Sequence, residues 1–302
     1  MTATRHRITV GITTRDRLDA LQRCVASLAL LGDLVDDVIV VDDAGAPDVA
    51  ARMSSLAVAR PQRLRIVRHA SPDGYIVARN TIMREASSAI VLSLDDDAFI
   101  VDASAVRRGV ELMARHPSVA AVAFAQSDGA GSPWPATMQA SAATYACEVP
   151  TFIGFAHLLR REAFAAVGGY HEAMHFYGEE KDLSLRLWHA GYRIVYLPDA
   201  RVAHVGDPGG RSPARYVRYA IRNDCLFGLY NEPLPLLLVS TPVRLRRYFR
   251  MIRGHHDPGG FRWIVGDLAR NLPATLRSRR AVTWRTLRRW RQVGRAAPAF
   301  SA

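Results

Sequence analysis

The chain has a single lysine, Lys181, and only three cysteines in 302 residues. Cys24, Cys147 and Cys225 lie far apart and show no metal-ligand spacing. This argues against a disulfide framework and predicts a reducing compartment. No apolar run approaches the ~20 residues needed to span a bilayer. One candidate, Leu234 to Val239, is short and contains Pro235. From Met1 the chain runs almost directly into an apolar strand pattern at Ile8, so no signal peptide is read. There is no Gly-x-Gly-x-x-Gly after the first strand and no Gly-x-x-x-x-Gly-Lys-Ser/Thr anywhere, which argues against a dinucleotide fold and a P-loop NTPase.

What is present is a globular composition, 49% hydrophobic and 23% charged, long enough for one large domain with an appendage or for two domains. The net charge of +12 is unevenly placed. Residues 1–200 hold 20 basic and 23 acidic side chains, whereas residues 201–302 hold 20 arginines and 5 acids.

Short apolar runs alternate with helical spacing. Strands are expected at Ile8–Thr13, Asp37–Val41, Leu64–Val67, Ala89–Leu94 and Val119–Phe124. Between them, Leu18 to Leu31, Ile76 to Ala86 and Ala103 to His116 carry helical periodicity. Alternating β and α units predict an α/β fold with a mostly parallel sheet and helices on both faces. The stretch from Gln126 to Val149 reads as a loop lying over the site. A strand from Phe152 to Leu159 is expected to contain Gly154, and another is expected at Arg193–Leu197.

Two acidic clusters close strands. Asp42-Asp43 ends the second and Asp95-Asp96-Asp97 the fourth, on the sheet edge where ligands of open parallel sheets bind. Three adjacent carboxylates repel one another unless a cation neutralises them, and hard oxygen ligands suit Mg²⁺ or Mn²⁺ bridged to phosphates. A solvated acidic turn is the alternative. A further cluster, Glu179-Glu180-Lys181-Asp182, opens an amphipathic helix. There the acids either complement the helix dipole or supply a general base. His204, in an apolar context, is either structural or a nitrogen ligand completing the metal site.

Taken in order, these motifs resemble the inverting family 2 glycosyltransferases with the GT-A fold. The resemblance covers about Ile8 to Asn223. It rests on Ile8–Thr13, Val38–Asp43, Gly74 with Ala78-Arg79-Asn80, Leu94–Asp97 as the Asp-x-Asp motif, Gly178–Arg186, and Val202-Ala203-His204. Arg222-Asn223 also recurs in the family. The resemblance implies a GT-A, Rossmann-like domain over residues 1–230, its nucleotide-binding half about 1–100 and its acceptor half about 101–230. A basic helical extension would follow at 231–302. It implies that Thr13, Arg15, Asp42, Asp43, Gly74, Arg79, Asn80, Asp95 and Asp96 bind the nucleotide sugar. Asp97, with Asp95 and His204, would hold Mn²⁺ or Mg²⁺. One of Glu180, Glu179 or Asp182 would be the base, Glu180 foremost, although the family often has Glu-Asp where this chain has Glu179-Glu180.

The implied reaction moves a sugar from a UDP- or dTDP-linked donor, with inversion, to a hydroxyl of a glycan, a lipid-linked acceptor or a small molecule. The alternatives are a nucleotidyltransferase and a non-catalytic protein that binds a nucleotide sugar or an anionic surface. In the last third, arginines interleave with Leu245, Tyr248, Phe249, Trp284, Leu287 and Trp290. That pattern suits an anionic membrane surface or a solvated helical subdomain. Charge alone would also suit a nucleic acid, but no recognition motif supports one. The expected location is the cytoplasm, peripheral at the inner face of the cell membrane.

Overall fold

The computed structural model describes residues 6–53, 56, 63–206 and 212–301. Residues 1–5, part of the stretch read as lacking a leader, lie outside the described residues.

β1 (Ile8–Thr14) is buried along its length, and α1 (Leu18–Ser27) packs back with Leu18, Leu21 and Val25 inward. The helical spacing beyond α1 continues as a 3-10 turn, Leu28–Leu34, broken at Gly32, whose φ of 54° leaves the helical region. β2 (Val35–Asp42), α2 (Pro47–Met53), β3 (Arg63–Arg68), α3 (Tyr75–Glu85) and β4 (Ile90–Asp95) complete the N-terminal run of alternating elements. β5 (Ala98–Phe99), α4 (Ala103–Arg115), β6 (Val119–Ser127), β7 (Cys147–Glu148), β8 (Ala156–Arg160), α5 (Arg161–Ala166), α6 (Glu179–His189) and β9 (Arg193–His204) follow. The chain then turns wholly helical, with α7 (Pro213–Asn231), α8 (Leu234–Met251), α9 (Gly260–Ser278) and α10 (Trp284–Ala296).

Among the described residues nine strands form one sheet in the order β3-β2-β1-β4-β8-β6-β9-β5, with β7 added to β9. β3, β2, β1 and β4 are parallel neighbours. β8 runs antiparallel between β4 and β6, and β6 pairs in parallel with β9. The sheet is therefore mostly parallel, and strand alternation splits the core into two layers. Val10, Ile12, Val38 and Val40 face α1 and α4, while Ile39, Val41 and Val91 face α3 and α6. Gly11 seats α3: a Cβ there would lie 2.2 Å from Ile82 Cγ2. Arg79, one turn before Ile82, is thereby carried to the carboxyl edge of the sheet.

Three local expectations are revised. Gly154 lies in the turn before β8 and not inside the strand, because β8 pairs with β4 only from Ala156 onward. β6 runs on through Gln126 and Ser127, so the loop starts two residues later. β9 does not stop at Leu197. Its register jumps from Phe124↔Leu197 to Ala125↔Arg201, and Pro198–Ala200 bulge out before the strand resumes.

Of the C-terminal helices, α8 and α9 pack on α7 around Val217, Ile221, Tyr248 and Ile264. α10 returns to α6, where Trp290 Nε1 donates to the Pro150 carbonyl at 2.8 Å. Beyond it the chain reaches β7 again through a Cys147↔Ala299 bridge. Among the described residues no helix is long and apolar enough to cross a membrane.

Candidate functional site

The ends of β1 and β4 are in register, Thr13 beside Asp95. After Asp95 the chain turns at once into β5, whose Ala98 pairs with His204 at the end of β9. That pairing brings together the ligand atoms of Asp95, Asp97 and His204, all within 4.8 Å of one another. The proton inventory says what they lack. Gln126 donates its amide nitrogen to the Met138 carbonyl, so its oxygen faces His204 Nδ1 at 2.8 Å. Nδ1 must therefore carry the hydrogen, and in the neutral ring Nε2 presents a lone pair. That nitrogen lies 3.5 Å from Asp97 Oδ1, a buried oxygen with no hydrogen-bond donor. Two acceptors face one another beside a second carboxylate, that of Asp95, and a hard divalent cation fits that donor set. Trp134 and Phe155 stack on the two faces of the imidazole, at 5.2 and 5.0 Å, and fix its plane.

Asp96, between the two candidate ligands, points elsewhere. It accepts from Thr14 Oγ1 and Arg17 Nη1, both at 2.7 Å. Burial pushes its carboxyl up to about 7. Arg17 also reaches Asp97 Oδ2 at 3.0 Å, so one guanidinium braces two of the three aspartates.

Arg79 is the hub between the two acidic clusters. Its Nη2 donates to Asp95 Oδ1 at 2.7 Å and to the Gly154 carbonyl at 2.9 Å. Its Nη1 donates to Glu179 Oε1 at 2.8 Å and stands 3.7 Å from Glu180 Oε1. Glu179 is sealed in, with Tyr75 donating to its other oxygen at 3.2 Å. Burial, and then the neighbouring Glu180 charge, push the Glu179 carboxyl well up. Glu180 keeps a fifth of its side chain exposed and is the carboxylate of the pair open to a ligand. Asp182 faces the opposite way: it is fully buried against Arg186 at 2.6 Å, His171 at 2.9 Å and Asn231 at 2.6 Å.

The loop leading into α6 is held under backbone strain. His175 and Tyr177 have φ of 53° and 72°, and Gly178 caps the helix at 92°. Asn223 of α7 donates its amide to the carbonyls of Met174, Phe176 and Tyr177, and Arg222 donates to that of Ala173. The Arg222-Asn223 pair thus braces the turn that presents Glu179 and Glu180.

The other residues singled out from the sequence surround this centre. Thr13 is buried at the end of β1, and Arg15 is exposed in the loop after it. Asp42 is fully buried, accepting from Gly45 N at 2.9 Å and Arg68 at 2.6 Å. Asp43 accepts from the backbone of Asp73 and of Gly74, each at 2.9 Å, and so ties down the turn before α3. Asn80 bonds the backbone of Tyr170 in both directions, and Glu172. These acids and amides are spent within the protein and shape the site through the turns they fix. Sequence reasoning missed Arg17, Gly154, Gln126 and Trp134. Only Arg17 left a trace, as a second arginine in the loop after β1.

The family model for glycosyl transferase family 2 matches residues 9–168, and that for glycosyl transferase family group 2 matches residues 90–249. A pre-mycofactocin glycosyltransferase of Mycobacterium tuberculosis is 32% identical over 213 residues, covering 65% of this chain and 42% of the relative. An N-acetylglucosaminyl-diphospho-decaprenol L-rhamnosyltransferase of the same organism is 32% identical over 119 residues, 33% of this chain and 39% of the relative. The chain thus spans about two-fifths of the length of these curated relatives. Among solved structures, the mannosyltransferase PcManGT of Pyrobaculum calidifontis, in complex with GDP-Man and Mn²⁺, superposes with a TM-score of 0.59 at 16% identity, over 97% of this chain and 88% of that one. Residues 1–349 of TarS from S. aureus give 0.60 at 15%, over 89% and 82%. These likenesses show the fold, the GT-A-like architecture that the motifs implied. The family match spans the strand ends, the Asp-x-Asp motif and Arg79, and the chain belongs to glycosyl transferase family 2.

Proposed function

We propose that the protein is an inverting glycosyltransferase that moves a sugar from a nucleoside-diphosphate donor, UDP- or dTDP-linked, to an acceptor hydroxyl. The observation that carries this reading is Arg79. One guanidinium joins the aspartates at the end of β4 to the glutamates at the start of α6. The leaving diphosphate and the attacking hydroxyl would then meet across a single side chain. Membership of the family favours sugar transfer over nucleotidyl transfer.

In this reading Thr13 and Arg15 meet the nucleoside at the end of β1, while Asp42, Asp43, Gly74 and Asn80 act through the turns they fix. Asp95, Asp97 and His204 would hold a divalent ion, Mn²⁺ or Mg²⁺, which would supply electrophilic stabilisation to the departing diphosphate. Arg79 adds a fixed cation beside it. Glu180 takes the acceptor's proton, a role that typically contributes ~10²–10⁴-fold. Glu179 orients Arg79, and Asp182 holds α6 in place. The acceptor is a hydroxyl on a glycan, a lipid-linked glycan or a small molecule. Three buried free cysteines suit a reducing compartment, and we place the protein in the cytoplasm.

The test is thermal stabilisation by UDP, dTDP and GDP, each with and without Mn²⁺. A ligand that binds only the native state stabilises it by ~2.7 kcal/mol at a hundredfold over its Kd. We expect a Mn²⁺-dependent shift with UDP or dTDP, lost in Asp97→Asn. Glu180→Gln should keep the shift and lose transfer. No shift with any nucleotide would remove the reading.

A further inference from the structure

The C-terminal helices sort their charges. Each described acid from residue 212 onward is turned into an ion pair: Asp224 with Lys181 at 2.7 Å, Glu232 with Arg244 at 2.6 Å, Asp257 with Arg218, and Asp267 with Arg222 at 2.6 Å. Arg246, Arg250 and Arg253 stay exposed at the end of α8 and after it, with no acidic partner among the described residues. The outer surface there is basic without relief.

The same surface is apolar. Leu234 is 62% exposed, Leu238 74%, Val239 67%, Val243 64% and Phe249 54%. At about 100° per residue these five side chains fall within one half of the helix circumference, together with Arg246 and Arg250. The other half faces the protein through Leu237, Tyr248 and the Arg244–Glu232 pair. This is not the apolar set that the sequence suggested, because Tyr248 and Leu287 are buried and Trp290 packs inward. The exposed set lies mostly in residues 234–243, ahead of the arginine-rich stretch. A contiguous exposed apolar face marks an interaction surface. Aliphatic side chains flanked by arginines, with no acid on the helix, match an interface that is greasy below and anionic above. Since no described helix can span a bilayer, the contact is interfacial.

We propose that the outer face of α8 docks the protein on an anionic lipid bilayer. Leu234, Leu238, Val239, Val243 and Phe249 enter the boundary of the acyl region, and Arg246, Arg250 and Arg253 meet headgroup phosphates. The surface is tied to the site through α7. Asp257, just after α8, holds Arg218, and Tyr216 half a turn earlier meets the Tyr177 hydroxyl at 3.1 Å beside Glu180. The inference goes beyond the transferase reading and does not depend on it.

The experiment is co-sedimentation of the full chain, without nucleotide or metal, with vesicles of phosphatidylcholine alone and of phosphatidylcholine with phosphatidylglycerol. Binding is expected to the anionic vesicles and not to the zwitterionic ones. Leu238→Ser with Val243→Ser should weaken it roughly tenfold or more. Arg246→Gln with Arg250→Gln should weaken it roughly fivefold per arginine, an effect that high salt removes. All four positions are exposed, and far-UV circular dichroism with thermal unfolding should show each variant folded. The proposal is overturned by no binding to anionic vesicles, by equal binding to both kinds, or by binding that neither pair alters. It is also overturned if light scattering shows a dimer that the Leu238/Val243 pair splits, since the face would then belong to a second copy of the chain.

Discussion

Gly154 offers a perturbation aimed at one carboxylate. A Cβ at this position would lie 2.2 Å from Glu180 Oε1 and 2.9 Å from both terminal nitrogens of Arg79. The two neighbours differ in freedom. Arg79 is buried and pinned by Glu179, Asp95 and the Gly154 carbonyl, whereas Glu180 stands 3.7 Å from Arg79 with a fifth of its side chain exposed. A carbon–oxygen contact needs roughly 3.3 Å, so in Gly154→Ala Glu180 must move by about 1 Å, while the 2.9 Å approach to Arg79 asks only for a shift of a few tenths of an ångström. A misplacement of that size costs on the order of 10²-fold in a positioned reaction. Folding should hardly notice, because alanine also removes unfolded-state entropy worth about 0.4–1 kcal/mol. The expected result is kcat down about a hundredfold, with the Mn²⁺-dependent nucleotide shift and the Tm near those of the parent. Steady-state transfer kinetics beside thermal unfolding would read all three. An alanine variant with parental kcat would refute both the placement of Glu180 and its role as base.

Other perturbations probe the surrounding braces. Asp182→Asn leaves buried Arg186 without its counter-charge and should cost about 3–5 kcal/mol in urea unfolding. A loss below about 1 kcal/mol would contradict the burial argument. Burial alone would raise the Asp182 carboxyl, but Arg186 and the contacts with His171 and Asn231 outweigh it and hold it well below the usual carboxylate range. The unfolded chain therefore binds the proton first, so this stability is present above about pH 4 and fades as pH falls further. The gap between parent and Asp182→Asn should narrow over that acid range. Arg17→Ala frees Asp96 and Asp97 and should weaken Mn²⁺ roughly 10–100-fold in a titration at fixed nucleotide, with Arg17→Lys restoring it only partly. Asn223→Ala strips the donor from three carbonyls of the strained turn before α6. It should lower kcat and expose residues 174–177 to limited proteolysis; an intact turn with normal kcat would show that the turn holds itself.

Much of the fold could be read from the chain because its signals are local. The runs at Ile8, Val38 and Val91 announce strands, Gly74 and Gly191 bracket helices, and the aspartates sit where strand ends must present them. Asp97 and His204 could be paired through family resemblance, but the cause of their meeting, the short β5–β9 ladder, has no local signature in two residues. Arg17 looked like part of a solvated loop. Its guanidinium instead bonds Asp96 and Asp97, about eighty positions away, a pairing that no local signal announces. Gly154 read as a weak strand residue because its neighbours are apolar, and only the approach of Glu180 shows why a side chain is missing there. In the C-terminal helices, composition marked the arginines but not their direction. Helical phase relative to α7 decides that Tyr248 is buried while Phe249, one residue on, is exposed.

The return of residues 297–300 to β7 has a consequence for the order in which these parts assemble during synthesis. Phe300 N donates to the Ala146 carbonyl, Glu148 N to that of Pro298, and the Tyr145 hydroxyl to that of Ala297. These partners are separated by about half the chain. A ribosome has therefore finished β1 to β9 long before the edge at Cys147 finds its neighbour, and long-range closures of this kind are slow. Until residue 300 emerges, the segment carrying Trp134, which stacks on His204, lacks this support at its far end. Trp134 itself is held to β6, its N donating to the Gln126 carbonyl, so the setting of the imidazole does not wait for that closure.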